Sequence, residues 1–400
     1  MNIIFHRYNS ICEPDYIRAF QSLGITVVED KEEMANKAIP LNRRTETLGR
    51  LVLENKPLFV FTINFFPCIS MICERLGVLY VAVSVDCPVV EIFSNQIYNS
   101  CNRLFLFDYQ QYSSIVDAKP GHIFHLPLGA DADRITRTLA EELGPNWDSK
   151  PSEEKYKYDI SFVGSLYKEK DPYRDICAKL SDTDRGFFDG MMSAQRCLTG
   201  LGLVEEMMTP ELADKLKAAD PAFYPSDLSI GDISGFVAVN HYLGPHMTYL
   251  DRVEILNLLA SHFDTHLFTR SDTSDLKRVH THGGVSSLVE MPKVFRQSKI
   301  NLNPTMRSIQ TGLPQRIWDV LAAGGFLLTN YQAEIPEFLE IGKHLEAYET
   351  KQELLEKVAY YLEHEEEREA IAQAGHEFVK EQAGVVNRVT EMIRIITGEK

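Results

Sequence analysis

Between Thr311 and Asn330 the chain reads TGLPQRIWDVLAAGGFLLTN, and these residue types at this spacing suit a phosphorylated ligand. Gly312 frees the backbone and Pro314 favours a first helical turn, whose unpaired amides then point outward. With Leu313 between them, they form an entrance that can offer amides to an anion. Arg316 adds a planar charge matched to phosphate oxygens, and Arg307, in the loop after NLNPT, can add another. Asp319 follows Arg316 by three residues and so shares its helix face, at a distance suited to a ribose diol when a phosphate sits at the helix start. The plain alternative is an Arg-Asp pair on a helix surface.

Three more residues with useful chemistry close strand-like runs near the N-terminus: His6, Asn64 and Asp86. Asp86, in VSVDCPV, is the first choice for a general base that takes the proton of an acceptor hydroxyl, with His6 as the alternative. Asn64 is placed on the acceptor side. A strand-end carboxylate also commonly caps the next turn, so both roles for Asp86 stay open. Asp131-Ala132-Asp133 fits a D-x-D pattern that can hold a divalent metal, but it lies between a strand and a helix, where aspartates cap and favour the dipole. No metal ligand is assigned. Cys68 and Cys73 are five apart with no histidine nearby, a poor metal spacing.

The elements that must position these residues follow from composition and periodicity. The 400 residues exceed the usual size of one core, so two domains are expected. The apolar share of 44% and charged share of 24% are those of an ordinary folded protein. A formal charge of -16 removes any general attraction to nucleic acid or an anionic membrane. The start MNIIFHRYNS lacks the order of a secretory signal, and no apolar run is long enough to span a bilayer. Seven cysteines without C-x-x-C spacing fit reduced thiols and a cytoplasmic location.

Six runs, NIIFH, ITVVE, LFVFTIN, LYVAVSVD, RLFLFD and HIFHLPL, alternate with helical patterns across the first 130 residues. They predict a parallel α/β sheet covered on both faces. The polar, proline-bearing ELGPNWDSKPSEEKYKY reads as a linker, giving an N-terminal Rossmann-like domain over 1-150. A second Rossmann-like domain over 151-380 opens with DISFVGS, detours through a mostly helical insertion at about 185-261, and resumes with THLFT, KINLN, GFLLTN and HLEAY. The methionines of the detour read as core. A terminal helix over 381-400 can pack back on the first domain. Two such sheets would bind ligands at their strand carboxyl ends, in a cleft between the domains.

The run KINLNPTMRSIQTGLPQRIWDVLAAGGFLLTNYQAEIPEFLEIGKHLEAYETKQELLEKVAYYLEHEEEREAIA resembles the glycosyl-transferases-group-1 type domain of spore-maturation CgeB-like proteins, most tellingly in LAAGGFLLTNY. FVFTINFFPCISMICERLGVLYVAVSVDCPV, IYNSCNRLFLFD and HIFHLPLGAD resemble the domain of unknown function that precedes it. The resemblance implies a GT-B glycosyltransferase with the nucleotide-sugar donor in the C-terminal domain and the acceptor against the N-terminal one. Asp319 takes the position of an acid that binds the donor ribose in related retaining enzymes. Their other acid falls on Thr311, so retention or inversion stays open.

FVGSLYKEK resembles the turn that begins the donor domain in the same superfamily. Gly164 would admit a diphosphate close to the backbone, Ser165 stands where relatives often have arginine, and Lys170 matches a lysine that often meets the diphosphate. VEMPKVFRQSKINLN resembles the segment beside the nucleobase, so backbone near Val289 to Met291 would read the base edge while Pro292 starts the next helix. Arg270, after THLFT, is a second candidate contact.

The function implied is transfer of a hexosyl group from a nucleotide sugar, a UDP-sugar first, to a hydroxyl on a protein or glycan. Amides, helix dipole and basic side chains would stabilise the leaving group with no metal or other cofactor required. Two alternatives keep the fold: a sugar-nucleotide epimerase or phosphorylase, and a nucleotide-sugar sensor or scaffold without transfer chemistry.

Overall fold

The protein's computed structural model describes residues 1–198, 202–224 and 229–398. The chain divides into two units, the first Met1–Asp131 with Asp227–Gly231 and Ala383–Lys400, the second Ala132–Ser226 with Asp232–Gln382.

All six apolar runs of the first unit form strands: β1 (Asn2–His6), β2 (Thr26–Asp30), β3 (Phe59–Ile63), β4 (Leu79–Val83), β5 (Asn102–Leu106) and β6 (Ile123–His125). They pair in parallel in the order β2-β1-β3-β4-β5-β6. Every residue of β3 is buried, as a strand covered on both faces requires. The helix Val385–Thr397 completes this unit's core, placing Val385, Val389 and Met392 with Ile3, Phe5, Tyr16 and Phe61. Arg388 Nε fixes its start by donating to Leu128 O at 3.1 Å.

The second unit holds β7 (Tyr158–Val163), β8 (Thr265–Phe268), β9 (His280–His282), β10 (Ser298–Asn303), β11 (Leu327–Asn330) and β12 (Glu346–Tyr348), parallel in the order β12-β11-β10-β7-β8-β9. The edge strand β9 has no counterpart in the sequence-based expectation, because its three exposed polar residues carry no apolar pattern. Ile160, Phe162, Leu267, Ile300, Leu302 and Leu328 form the sheet's core with Leu256 and Leu259 of the helix Gly244–Ala260 and Leu354 and Val358 of Lys351–Glu363. In the helical stretch at 185-261, where residues 199-201 and 225-228 lie outside the described residues, Phe188, Met191 and Met192 are buried on the helix Asp182–Arg196.

The stretch expected to be a linker is pinned to this unit. Ser152 Oγ donates to Glu365 at 2.7 Å, Tyr156 Oη to Glu369 at 2.9 Å, and Trp147 is 8% exposed. Its polar residues hydrogen-bond to the helix Glu365–Gln382, so polar composition here marks a docked segment.

LAAGG ends the helix Gln315–Ala322 by a hydrogen-bonded turn. Gly324, at φ 68°, donates to Leu321 O at 2.9 Å, and Gly325 donates to Val320 O at 3.0 Å. A Cβ on Gly325 would sit 2.7 Å from the Asn301 amide, so this glycine lets the turn close against β10.

Candidate active site

In the second sheet the strand order reverses between β7 and β10, and ligands of open α/β sheets bind outside such a switch point. Two loops leave the sheet there, one after β7 from Gly164 and one after β10 from Pro304. The helix Gly244–Ala260 inserts Arg252 between them. Its guanidinium donates to Ser165 O at 2.6 Å and to Pro304 O at 2.8 and 3.2 Å, and it lies 5.1 Å from the Phe162 ring centre and 5.0 Å from that of Tyr167. Burial, aided by the nearby Arg316 charge, pushes its pKa down to about 10 against the pull of Tyr167 and Asp251.

Arg316 is the second cation of this corner. Its Nη1 is 2.8 Å from Met291 Sδ and its guanidinium lies 5.3 Å from the Phe295 ring centre. No carboxylate among the described residues forms an ion pair with Arg252 or Arg316, although Asp319 partly offsets the burial that lowers the Arg316 pKa. Asp319 Oδ1 accepts from Gln315 Nε2 at 2.9 Å. The helix begins at Gln315, one residue after Pro314, and this N-cap proline offers no side-chain acceptor to the first-turn amides. Just before it, Gly312 and Leu313 are buried, and Thr311 O accepts from the Glu334 amide at 3.2 Å.

Other expected donor contacts are partly spent within the protein. Arg307 does not face a ligand as a free cation: Nε pairs with Asp251 at 2.6 Å, and its other nitrogens donate to Leu198 O and Arg196 O. Asp251, 56 residues away, takes the charge that the spacing had assigned to phosphate. Ser165 Oγ donates to Glu169 at 2.8 Å and accepts from the Tyr167 amide at 2.8 Å. Lys170 Nζ lies 5.4 Å from the Tyr167 ring centre. A Cβ on Gly164 would approach Phe162 Cζ to 2.8 Å, so its small size makes room for a ring inside the protein.

On the expected nucleobase side, Met291 and Pro292 are buried in the first turn of Glu290–Arg296. The Met291 amide donates to Ser286 O and the Leu288 carbonyl accepts from Arg134, so these two groups are occupied. Arg270 is exposed, its side chain lying along Gly284.

In the first sheet the carboxyl ends of β1, β3 and β4 lie side by side and carry two clusters. Asn64, held at φ 59°, donates through Nδ2 to Asp86 Oδ2 at 2.6 Å and to Tyr8 Oη at 3.1 Å, while its Oδ1 accepts from the Val85 amide at 3.0 Å. One amide thus orients an exposed carboxylate beside a phenol. Burial is the main cause that raises the Tyr8 pKa.

The second cluster corrects the expectation for His6. Nδ1 is 2.8 Å from Asp30 and Nε2 is 2.9 Å from Glu33, which also pairs with Arg44 at 2.6 Å. Burial would lower the imidazole pKa, but the two carboxylates outweigh it and raise it. With both ring nitrogens engaged, His6 is a buried structural cation with no lone pair left for a general base. Arg7 is likewise committed, to Glu13 at 2.9 Å and to Glu29. Asp131 of the D-x-D pattern pairs with Arg18, and Asp133 lies in the first turn of Ala132–Leu143.

Arg252, Tyr8 and Tyr348 were not singled out from the sequence. The buried Tyr348 hydroxyl has no hydrogen-bond partner among the described residues, and it lies near the Asp251, Arg307 and Arg252 charges. The helical pattern around Arg252 was legible, but which neighbours its face would meet was not.

Residues 252–394 match the family model described as glycosyl transferase-like. No curated protein matches the chain. Solved structures match over nearly the full length of both chains. Sucrose-phosphate synthase from Thermosynechococcus elongatus gives a TM-score of 0.55 at 9% identity, with 100% of each chain covered. HepE of Anabaena, in complex with UDP and glucose, gives 0.53 at 10%, again with 100% of each covered. A UDP-forming α,α-trehalose-phosphate synthase from Burkholderia xenovorans gives 0.52 at 13%, covering 99% of this chain and 98% of that one. At such identities the likeness is one of fold. The protein has the GT-B fold of two Rossmann-like units, and over residues 252–394 it is similar to the glycosyl transferase-like family.

Proposed function

We propose that this protein is a glycosyltransferase that moves a hexosyl group from a nucleoside diphosphate sugar, a UDP-sugar first, to an acceptor hydroxyl. The observation that carries this is the pair of Arg252, buried, and Arg316, half-buried, at the β7/β10 switch point, neither with a carboxylate ion partner among the described residues. Unmatched cations drawn partly or wholly out of water cost free energy that a bound anion recovers. A diphosphate would bring that anion, the helix that starts at Gln315 would add its dipole, and Asp319 would hold the ribose.

In this assignment the second unit binds the donor. Gly164, Ser165 and Lys170 border the diphosphate, Thr311, Gly312 and Leu313 form the entrance to the helix, and Met291, Pro292 and Arg270 lie toward the nucleobase. Arg307 supports the loop by holding Asp251, and Arg252 replaces it as the second charge. In the first unit Asp86 serves as the general base, oriented by Asn64. The leaving diphosphate would be stabilised by guanidinium groups and amides, with no metal or other cofactor required. We assign the chain to the CgeB-like branch and to the cytoplasm; among the described residues no helix is long and apolar enough to cross a membrane.

Incubation with nucleotide sugars, with mass spectrometry for released nucleoside diphosphate, tests this. Turnover in the wild type that disappears in Arg316→Ala and Asp319→Ala is the expected result. Tight binding with no turnover across a broad acceptor set would replace the transferase by a nucleotide-sugar sensor.

A further inference from the structure

The carboxyl edge of the first sheet carries more than the Asn64-Asp86 pair. On one side of that pair Tyr8 and Phe66 pack edge to face, with ring centres 5.2 Å apart. On the other side, Tyr109 and Tyr112 follow β5 and His125 ends β6. Their ring centres are 5.4 to 6.0 Å apart. The strands run β1-β3-β4-β5-β6, so the aromatic groups flank the carboxylate along one edge. Four strand spacings set its length at about 19 Å, enough for several linked sugar rings. Tyr109 is 50% exposed, although burying an aromatic ring is normally favourable.

This combination matches one kind of acceptor. A pyranose ring presents a face of C–H bonds with partial positive charge, which suits the negative face of an aromatic ring, and a rim of hydroxyls, which suits a carboxylate, an amide and a phenol. An anionic acceptor would need an unmatched cation, but the two cationic groups that end β1, His6 and Arg7, are both tied to carboxylates. We infer that the acceptor is an uncharged oligosaccharide that lies along this edge, with rings stacked on Tyr109 on one side and Tyr8 on the other and its reactive hydroxyl at Asp86. The inference rests on the transferase assignment above and narrows its acceptor from protein or glycan to glycan. In the transfer itself the acceptor oxygen forms the new bond to the anomeric carbon, its proton passes to Asp86, and the bond to the nucleoside diphosphate breaks with its electron pair leaving on the phosphate oxygen.

The test reads acceptor binding with no nucleotide present, so it succeeds or fails independently of the donor assignment, which nucleotide-sugar turnover tests. The full chain is applied to an array of immobilised neutral oligosaccharides beside a matched array of peptides bearing serine, threonine and tyrosine. The strongest saccharide is then titrated into the wild type, Tyr109→Ala, Tyr109→Leu and Tyr109→Phe. Saccharides are expected to bind above the peptides, with affinity about tenfold weaker in the alanine and leucine variants and within about twofold of wild type in the phenylalanine variant. Tyr109→Leu keeps the bulk without the ring, so a loss there is not a packing defect. Peptides bound above every saccharide, no saccharide bound at all, or wild-type affinity in Tyr109→Leu would each overturn the inference.

Discussion

The two carboxyl edges dispose of their buried and half-buried charges in different ways. In the first unit His6 lies between Asp30 and Glu33, Arg44 joins Glu33, and Arg7 joins Glu13 and Glu29. In the second unit Asp251 takes Arg307, but Arg252 and Arg316 meet carbonyls, rings and a thioether instead, and the Arg316 charge helps lower the Arg252 pKa. Matched charges lock a loop to a sheet; unmatched ones await a ligand. Histidine and arginine at a strand end therefore do not by themselves mark a site, and what separates the two cases is where the nearest carboxylate falls.

That contrast can be broken most forcefully at the chemistry. Asp86→Asn should lower kcat by about 10² to 10⁴, the range for a lost general base, with donor affinity unchanged. An equal loss of donor affinity in calorimetry would place Asp86 in the wrong role. Next in size, His6→Asn should destabilise the protein by about 3 to 5 kcal/mol, because it strands buried carboxylates. Nucleotide affinity measured below the melting transition should stay at the wild-type value.

The pH dependence has a defined sign. The His6 pKa is raised above 6.5, so its contribution is complete below that value and is lost as pH rises through the native one; Asp30 is lowered from 3.8, so its share is lost on acidification. Melting temperature in the wild type should fall as pH rises above about 6.5, and His6→Asn should remove that fall. Arg316→Ala should weaken nucleoside diphosphate binding by about 1.5 to 3 kcal/mol, the worth of a hydrogen bond to a charged group, while leaving the melting temperature of the free protein at or above the wild-type value. Smallest, Gly164→Ala should cost about 1 to 3 kcal/mol in denaturant unfolding through the clash with Phe162.

The extent to which this was legible in the sequence follows the same division between local and distant causes. Apolar runs such as FVFTI and SKINLN announce buried strands because burial on both faces acts on every residue of the run. The helix start at TGLPQR and its Arg316-Asp319 face are local as well. The partners of His6 and Arg307 are not legible in this way, because Asp30, Glu33 and Asp251 are 24, 27 and 56 residues away and no spacing rule links them. Arg252 was hidden for the same reason, since its acceptors Ser165 and Pro304 belong to two other loops. The HTH strand β9 escaped because an exposed edge strand needs no apolar residue.

The central claim is that the unmatched guanidinium pair of the second unit binds a nucleoside diphosphate. Calorimetric titration of UDP, GDP and TDP, each against its own nucleoside, into the wild type and Arg316→Ala tests it most directly. At least one diphosphate should bind more than about tenfold more tightly than its nucleoside, with that margin lost in Arg316→Ala. Diphosphates that bind no better than nucleosides, or a margin that survives the substitution, would contradict it.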